Sequence, residues 1–289
     1  MTVRLAHVGD ADAIGRIHVE SWQAAYAADL PAEFLRDLSV TDRQRGLVTA
    51  AQLDRLGVDP EQRAELARRL LLTRLDWDVF EIQGSPTPPR YAYPYAAWLA
   101  LRPDVYVWER PGAGGTITAD AVLSHEAAAR ALGLGSPSAG RVTFTAPESL
   151  PAPRATRVLV AALRPDEVTV HEGLPVTTAH RTVLDLVRDH TDHAELRDII
   201  TDAVRLDLVD LAPLHRDLGP LAAPHHFPID GPDFLAWFLP DLDDRALSPR
   251  NARALATLLA PAAATGPGTA TEAAPAQRTD PGRQLGSAG

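Results

Sequence analysis

At 289 residues, 45% apolar and with a net charge of −10, the chain can hold one large or two smaller domains, and its acidity argues against unspecific binding to nucleic acid or anionic membrane. It contains no cysteine, and all 28 of its basic residues are arginine, which excludes disulfides, cysteine nucleophiles and thiolate zinc sites together with P-loop, kinase-type and Schiff-base chemistry, each of which needs a lysine. No apolar run nears the roughly 20 residues that span a bilayer, and the N-terminus lacks a basic stretch followed by an apolar one, so a cytoplasmic protein with no membrane partner is expected.

Residues 1–44 read as a strand followed by two helices. Thr2 to Ala6 is strand-like, Asp10 is a fair N-cap, and Ile14, Ile17, Trp22 and Ala25 follow at helical spacing. A second helix begins near Pro31 and carries Phe34, Leu35 and Leu38. The string Arg16-Ile17-His18-Val19-Glu20-Ser21-Trp22-Gln23-Ala24-Ala25-Tyr26 resembles the opening of the GNAT acetyltransferases. That family binds acetyl-CoA through a loop of the form Q/R-x-x-G-x-G/A. The nearest string here, Glu109-Arg110-Pro111-Gly112-Ala113-Gly114, has Glu at the first position and leads into the strand-like Thr116-Ile117-Thr118. A surface loop with no cofactor is expected there.

Residues 45–84 predict a helix, a tight turn, a second helix and a hairpin. Thr49 caps the first helix, Gly57 ends it, and Asp59-Pro60 starts the second, which runs to about residue 72. Leu53, Leu56, Val58, Leu66, Leu70 and Leu71 can close a small core, and residues 75–82 suggest two short strands. The pattern is that of a winged helix-turn-helix. Its candidate DNA-binding residues are Thr49, Gln52, Arg55, Gln62, Arg63, Arg68, Arg69 and Arg74, since Arg contacts phosphates or guanine and Gln reads adenine. The wing is acidic, with Asp76, Asp78 and Glu81, and acids near phosphates oppose the counterion release that drives binding.

Residues 85–95 are rich in Pro and Tyr and read as a linker. Beyond them, helices are predicted over 96–101, 124–132, 178–188, 194–206 and 232–238, and strands over 105–108, 142–145, 157–162 and 168–171. One more helix is expected over 248–260, and the Ala-, Pro-, Gly- and Thr-rich stretch 261–289 reads as a disordered tail. The fold class is α+β: an N-terminal strand-helix-helix segment, a small winged helix-turn-helix domain, and a mixed α/β C-terminal domain over 96–260.

Several candidate sites resolve against catalysis. His125-Glu126 would need a second histidine at position 129 to bind zinc, and that residue is Ala. Ser124 reads as an N-cap and His125 as a polar contact between elements. No Gly-x-Ser-x-Gly elbow is present. His190, His193, His215, His225 and His226 show no ligand spacing, so no metal is expected. Within Gly173-Leu174-Pro175-Val176-Thr177-Thr178-Ala179-His180-Arg181-Thr182-Val183-Leu184-Asp185-Leu186, Pro175 bars an earlier helix start. Thr177 is the expected N-cap, and Arg181 and Asp185 can pair across one helical turn.

That last string, with Gly46-Leu47-Val48-Thr49-Ala50-Ala51-Gln52-Leu53, Leu56-Gly57-Val58 and Val122-Leu123-Ser124-His125, resembles the AbiEi-type antitoxins of type IV toxin–antitoxin systems over about residues 45–240. The resemblance implies a non-enzymatic regulator without cofactor. Its winged helix would bind inverted repeats in its own promoter DNA and repress transcription, and its C-terminal domain would counter a nucleotidyltransferase-type toxin without stably binding it. Two alternatives stand beside it: an acetyltransferase-derived protein, and a relative that has lost DNA binding and acts through protein contacts.

Overall fold

A computed structural model of the chain describes residues 46–83, 87, 89–110, 119–138, 140–189, 192–227, 233–239 and 244–259. The acetyltransferase-like segment 1–44, most of the 109–114 loop and the 261–289 tail lie outside the described residues.

The first unit opens with β1 (Leu47–Thr49) and α1 (Ala50–Arg55). Thr49 is extended; its hydroxyl accepts from the Gln52 amide at 3.0 Å, and the Gln52 side chain accepts from the Thr49 amide at 2.9 Å. This reciprocal box satisfies two amides that the first helical turn leaves unpaired. Gly57 ends the turn at φ +77°, a conformation that suits a residue without Cβ. Asp59 and Gln62 repeat the box at α2 (Pro60–Arg68), with Pro60 at the first helical position. The helix stops at Arg68, short of the expected 72, because Leu70 turns to φ +59°. The hairpin strands are β2 (Leu72–Arg74) and β3 (Val79–Ile82), so residues 75–78 form the turn and not a strand. Both β1 and β2 pair antiparallel with β3, giving the order β1-β3-β2. Val48, Leu53, Val58, Leu66, Leu71, Leu72 and Phe80 close the small core, each buried side chain contributing roughly 1.5–3 kcal/mol.

The stretch expected to be a linker is largely helix: α3 runs Pro89–Ala100 with Pro94 inside it. Its small and aromatic residues Tyr91, Tyr95, Ala96, Ala97 and Trp98 are buried, and that burial overrides the local cost of proline. The expected strand at 105–108 is a 3-10 turn, Val107–Glu109. A five-stranded mixed sheet follows, in the order β6-β5-β4-β8-β7. Its strands are β4 (Val122–Leu123), β5 (Val142–Ala146), β6 (Thr156–Val160), β7 (Val168–His171) and β8 (Leu174–Thr177). β4 pairs parallel with β8 and antiparallel with β5. The segment read as a turn ahead of the joint helix is therefore a central strand.

Helix α4 (His125–Leu132) follows β4, and α5 (Ala179–Arg188) follows β8. Phe144, Leu174 and Val176 of the sheet bury against Tyr95, Trp98 and Ala128 of α3 and α4. A second core joins α5 to α6 (His193–Arg205), α7 (Leu211–Leu218), α8 (Asp233–Phe238) and α9 (Pro249–Leu259) through Val183, Leu186, Ile199, Ile200, Leu214 and Phe238. The fold is thus mixed α+β. Among the described residues no helix is long and apolar enough to cross a membrane.

Candidate functional site

Of the residues expected to meet DNA, two are inside the protein. Thr49 and Gln52 are 1% and 3% exposed. The Thr49 hydroxyl donates to the Pro103 carbonyl, and the Gln52 amide donates to the Val105 carbonyl at 2.8 Å. Together they fasten α1 to the loop after α3. Arg55 closes a two-pronged pair with Glu109 at 2.9 and 3.0 Å and lies 4.4 Å from the centre of the Tyr106 ring. The guanidinium, helped by the Tyr106 amide, holds the Glu109 carboxyl below its ordinary pKa, and Glu109 in turn raises that of Arg55.

Arg63 binds Asp54 and the Val58 carbonyl, and Arg74 pairs with Asp78 at 2.7 Å. The hairpin turn is tied to the second unit as well. Asp76 pairs with Arg154, and the Trp77 indole donates to the Arg154 carbonyl at 2.6 Å. Gln62 and Arg68 lie on the outer surface of α2, and Arg69 is exposed at its C-cap. Gln62 uses its side-chain oxygen in the cap. Arg68 is 72% exposed and, among the described residues, pairs with Glu65 of its own helix at 2.6 Å.

Ser124 stands at the N-cap position of α4 but does not cap it. Its hydroxyl accepts from Thr145 at 2.9 Å and lies 3.0 Å from His125 Nδ1. His125 Nε2 lies 3.6 Å from Asp189, which also meets Arg157 at 3.4 Å. The succession of hydroxyl, imidazole and carboxylate has the members of a hydrolytic triad, yet Ser124 is 0% exposed. A nucleophile must reach its substrate, so this network serves to seat α4 on β5.

At the joint, Thr178 is the N-cap in place of Thr177, and its hydroxyl accepts from the Arg181 amide at 3.3 Å. Thr177 is held in the ladder opposite Val168, and its buried hydroxyl meets Thr182 at 2.7 Å. Arg181 and Asp185 pair as the spacing predicts, at 2.8 and 2.9 Å, and Arg181 reaches Glu167 at 3.0 Å. Burial works against the Arg181 charge, but the two carboxylates outweigh it and its pKa is raised. This network lines a cleft of about 780 Å³ with His180, Arg216 and Asp217. His180 lies 3.0 Å from Asp217. Burial opposes the Asp217 charge, but Arg216 and His180 prevail and its pKa is lowered. Each arginine at this cleft has a carboxylate partner.

His225 pairs with His193 at 2.9 Å and with the Val187 carbonyl at 2.8 Å. Among the described residues no group of three or more His, Asp or Glu is placed to hold a metal ion.

A second cleft, of about 560 Å³, lies between the hairpin turn and the second unit, with Trp77, Arg90, Tyr93, Arg130, Arg141 and Arg154 among its lining residues. Its arginines are scattered along the sequence and form no motif. The alternation Arg90-Tyr91-Ala92-Tyr93 was the available signal, in the stretch taken for a linker.

No protein-family model matches the chain, and no curated protein matches it. Among solved structures, the chain is similar to the RV2827C protein from Mycobacterium tuberculosis, at 19% identity over 75% of this chain and 74% of that one, with a TM-score of 0.27. A superposition that loose transfers neither fold nor function.

Proposed function

We propose that the chain is a DNA-binding autorepressor and the antitoxin of a type IV toxin–antitoxin pair, with 46–83 as a winged helix-turn-helix and α2 as its recognition helix. One observation carries the reading. A strand, two capped helices and a hairpin follow one another with sheet order β1-β3-β2, and the second helix presents Gln62, Arg68 and Arg69 outward. A helix so exposed fits a major groove. Because the hairpin turn and α1 are engaged with the second unit, contact narrows to α2 and its C-terminal end. The antitoxin half rests on the resemblance at 173–186, whose charge network braces the start of α5. The reading calls for no cofactor, no metal and no catalytic residue.

The test is binding of the chain to its own upstream DNA at low salt, followed as salt is raised. Two phosphate contacts give a slope of log affinity on log salt near −1.8, at about −0.9 per contact. The Arg68→Ala/Arg69→Ala variant should flatten that slope and abolish the specific complex. No specific complex with the upstream DNA overturns the repressor half. Failure to restore growth against a co-expressed neighbouring nucleotidyltransferase-like toxin overturns the other half.

A second reading is favoured by the engagement of Thr49, Gln52, Arg55, Arg63 and Arg74 inside the chain. In it the first unit packs against the second and acts through protein contacts. A folded chain with no DNA affinity and a stable partner supports this reading over the first.

A further inference from the structure

The cleft between the hairpin turn and the second unit gathers positive charge in an otherwise acidic chain. Arg90, Arg130, Arg141 and Arg154 face it against one carboxylate, Asp76, although the whole chain carries −10. Two of the four are engaged: Arg154 with Asp76, and Arg130 with the Pro137 carbonyl at 2.8 Å. Arg90 and Arg141 have no acidic partner among the described residues. Arg90 lies 4.7 Å from the centre of the Tyr91 ring, and Arg141 is exposed. The contrast with the cleft at the joint is chemical: there every guanidinium is neutralised by a neighbouring carboxylate, and here two are left for something else. Like charges gathered in a concave site raise the local concentration of anions.

Aromatic surface lies beside the charge. Tyr93 is 54% exposed. The Trp77 ring meets it edge-on, with centroids 6.0 Å apart and planes at 82°. An open phenol ring next to guanidiniums that no carboxylate neutralises offers a stacking platform and a phosphate ligand in one place.

We infer that this cleft is a nucleotide site, in which Arg90 and Arg141 take the phosphate and Tyr93 stacks on the base. A free mononucleotide and a residue of single-stranded nucleic acid present the same chemistry. A base paired within a duplex does not, because its faces are covered by its neighbours. The site lies apart from the outward face of α2 and goes beyond the repressor reading, so either can fail while the other stands.

Titration calorimetry of the full chain at about 50 mM salt tests it with AMP, a single-stranded oligonucleotide of about eight residues, inorganic phosphate, an aspartate-rich peptide and a DNA duplex of unrelated sequence. AMP and the oligonucleotide should bind, and the other three should bind more weakly. An oligonucleotide that binds no tighter than AMP identifies a free nucleotide as the source, and one about tenfold tighter identifies single-stranded nucleic acid. Arg90→Ala and Arg141→Ala should each weaken binding about tenfold, and Tyr93→Ala should weaken AMP by a similar factor. Arg141 and Tyr93 are exposed, so their variants keep the parent melting temperature, which serves as the folding control. The Arg68→Ala/Arg69→Ala variant should bind AMP as the parent does. The inference is overturned by no binding of AMP or the oligonucleotide up to about 1 mM, by phosphate or the peptide binding as tightly as AMP, or by folded cleft variants that bind unchanged.

Discussion

Arg110 holds both oxygens of Asp120 while its guanidinium lies 3.6 Å from the centre of the Trp98 ring. The two side chains are 1% and 5% exposed, and Arg110 also donates to the Trp98 carbonyl at 2.8 Å. The pair thus ties residues 110 and 120 to each other and to Trp98 of α3. Charges taken this far from water are tolerated because they are paired, and Arg102 brings a second guanidinium to 3.1 Å from Asp120.

Removal of Asp120 leaves Arg110 charged and buried with no carboxylate beside it, whereas removal of Arg110 leaves Asp120 with Arg102. Asp120→Ala should cost about 3–5 kcal/mol, read as a lower urea midpoint. The double replacement Arg110→Met/Asp120→Leu should cost less than Asp120→Ala alone. A double variant weaker than the single one would show that the pair contributes more than the burial of its own charge.

Gln52→Ala should destabilise the chain by about 1–3 kcal/mol, because it removes the reciprocal half of the α1 cap and the bond to the Val105 carbonyl. Thermal unfolding checks this. A variant with unchanged stability and lost DNA affinity would return Gln52 to the role of a base-reading residue.

Two glycines separate backbone strain from crowding. Gly57 and Gly135 both have positive φ, +77° and +56°. A Cβ at Gly57 would meet nothing within 4 Å, whereas at Gly135 it would stand 2.9 Å from Ile199 Cγ1 and 3.2 Å from the Ile199 amide. Gly57→Ala should therefore cost about 1 kcal/mol and Gly135→Ala about 2–4 kcal/mol, compared by denaturant midpoints of the two variants.

The Arg55–Glu109 pair gives stability a dependence on acid. Its pKa lies below the ordinary 4.5 because Arg55 and the Tyr106 amide favour the ionised carboxyl. The contribution is therefore fully present above the unfolded value and is lost as pH falls through the folded one. Both side chains are more than a third exposed, 44% and 38%, so the effect is small and shrinks in high salt. Glu109→Gln should flatten that part of the acid limb in a series of unfolding curves across pH.

What the sequence made legible follows from local rules. Thr49 and Asp59 cap their helices as their residue types require, and Arg181 meets Asp185 because four residues make one turn. The helix start at the joint slipped by one because Thr177 and Thr178 can both cap. The ladder with β7 decides between them, and that pairing is not written locally. Gly173 does stand in the turn before β8, at φ +80°, but Pro175 suggested a turn where β8 runs, and the proline and tyrosines of α3 suggested a linker. In both places tertiary burial outweighs propensity. The partners of Gln52 and Arg55 lie about fifty residues away, beyond any periodicity. The four arginines of the nucleotide cleft stand at 90, 130, 141 and 154, scattered along the chain and assembled by the fold alone.

Thr49 has one hydroxyl and two obligations. Its oxygen takes the Gln52 amide that begins α1, and its proton goes to the Pro103 carbonyl beyond α3. Fraying of α1 therefore loosens its attachment to the rest of the chain, and detachment in turn uncaps the helix. Melting and detachment of the first unit should therefore be coupled, and limited proteolysis of the partly denatured chain should release no separately folded fragment of that unit.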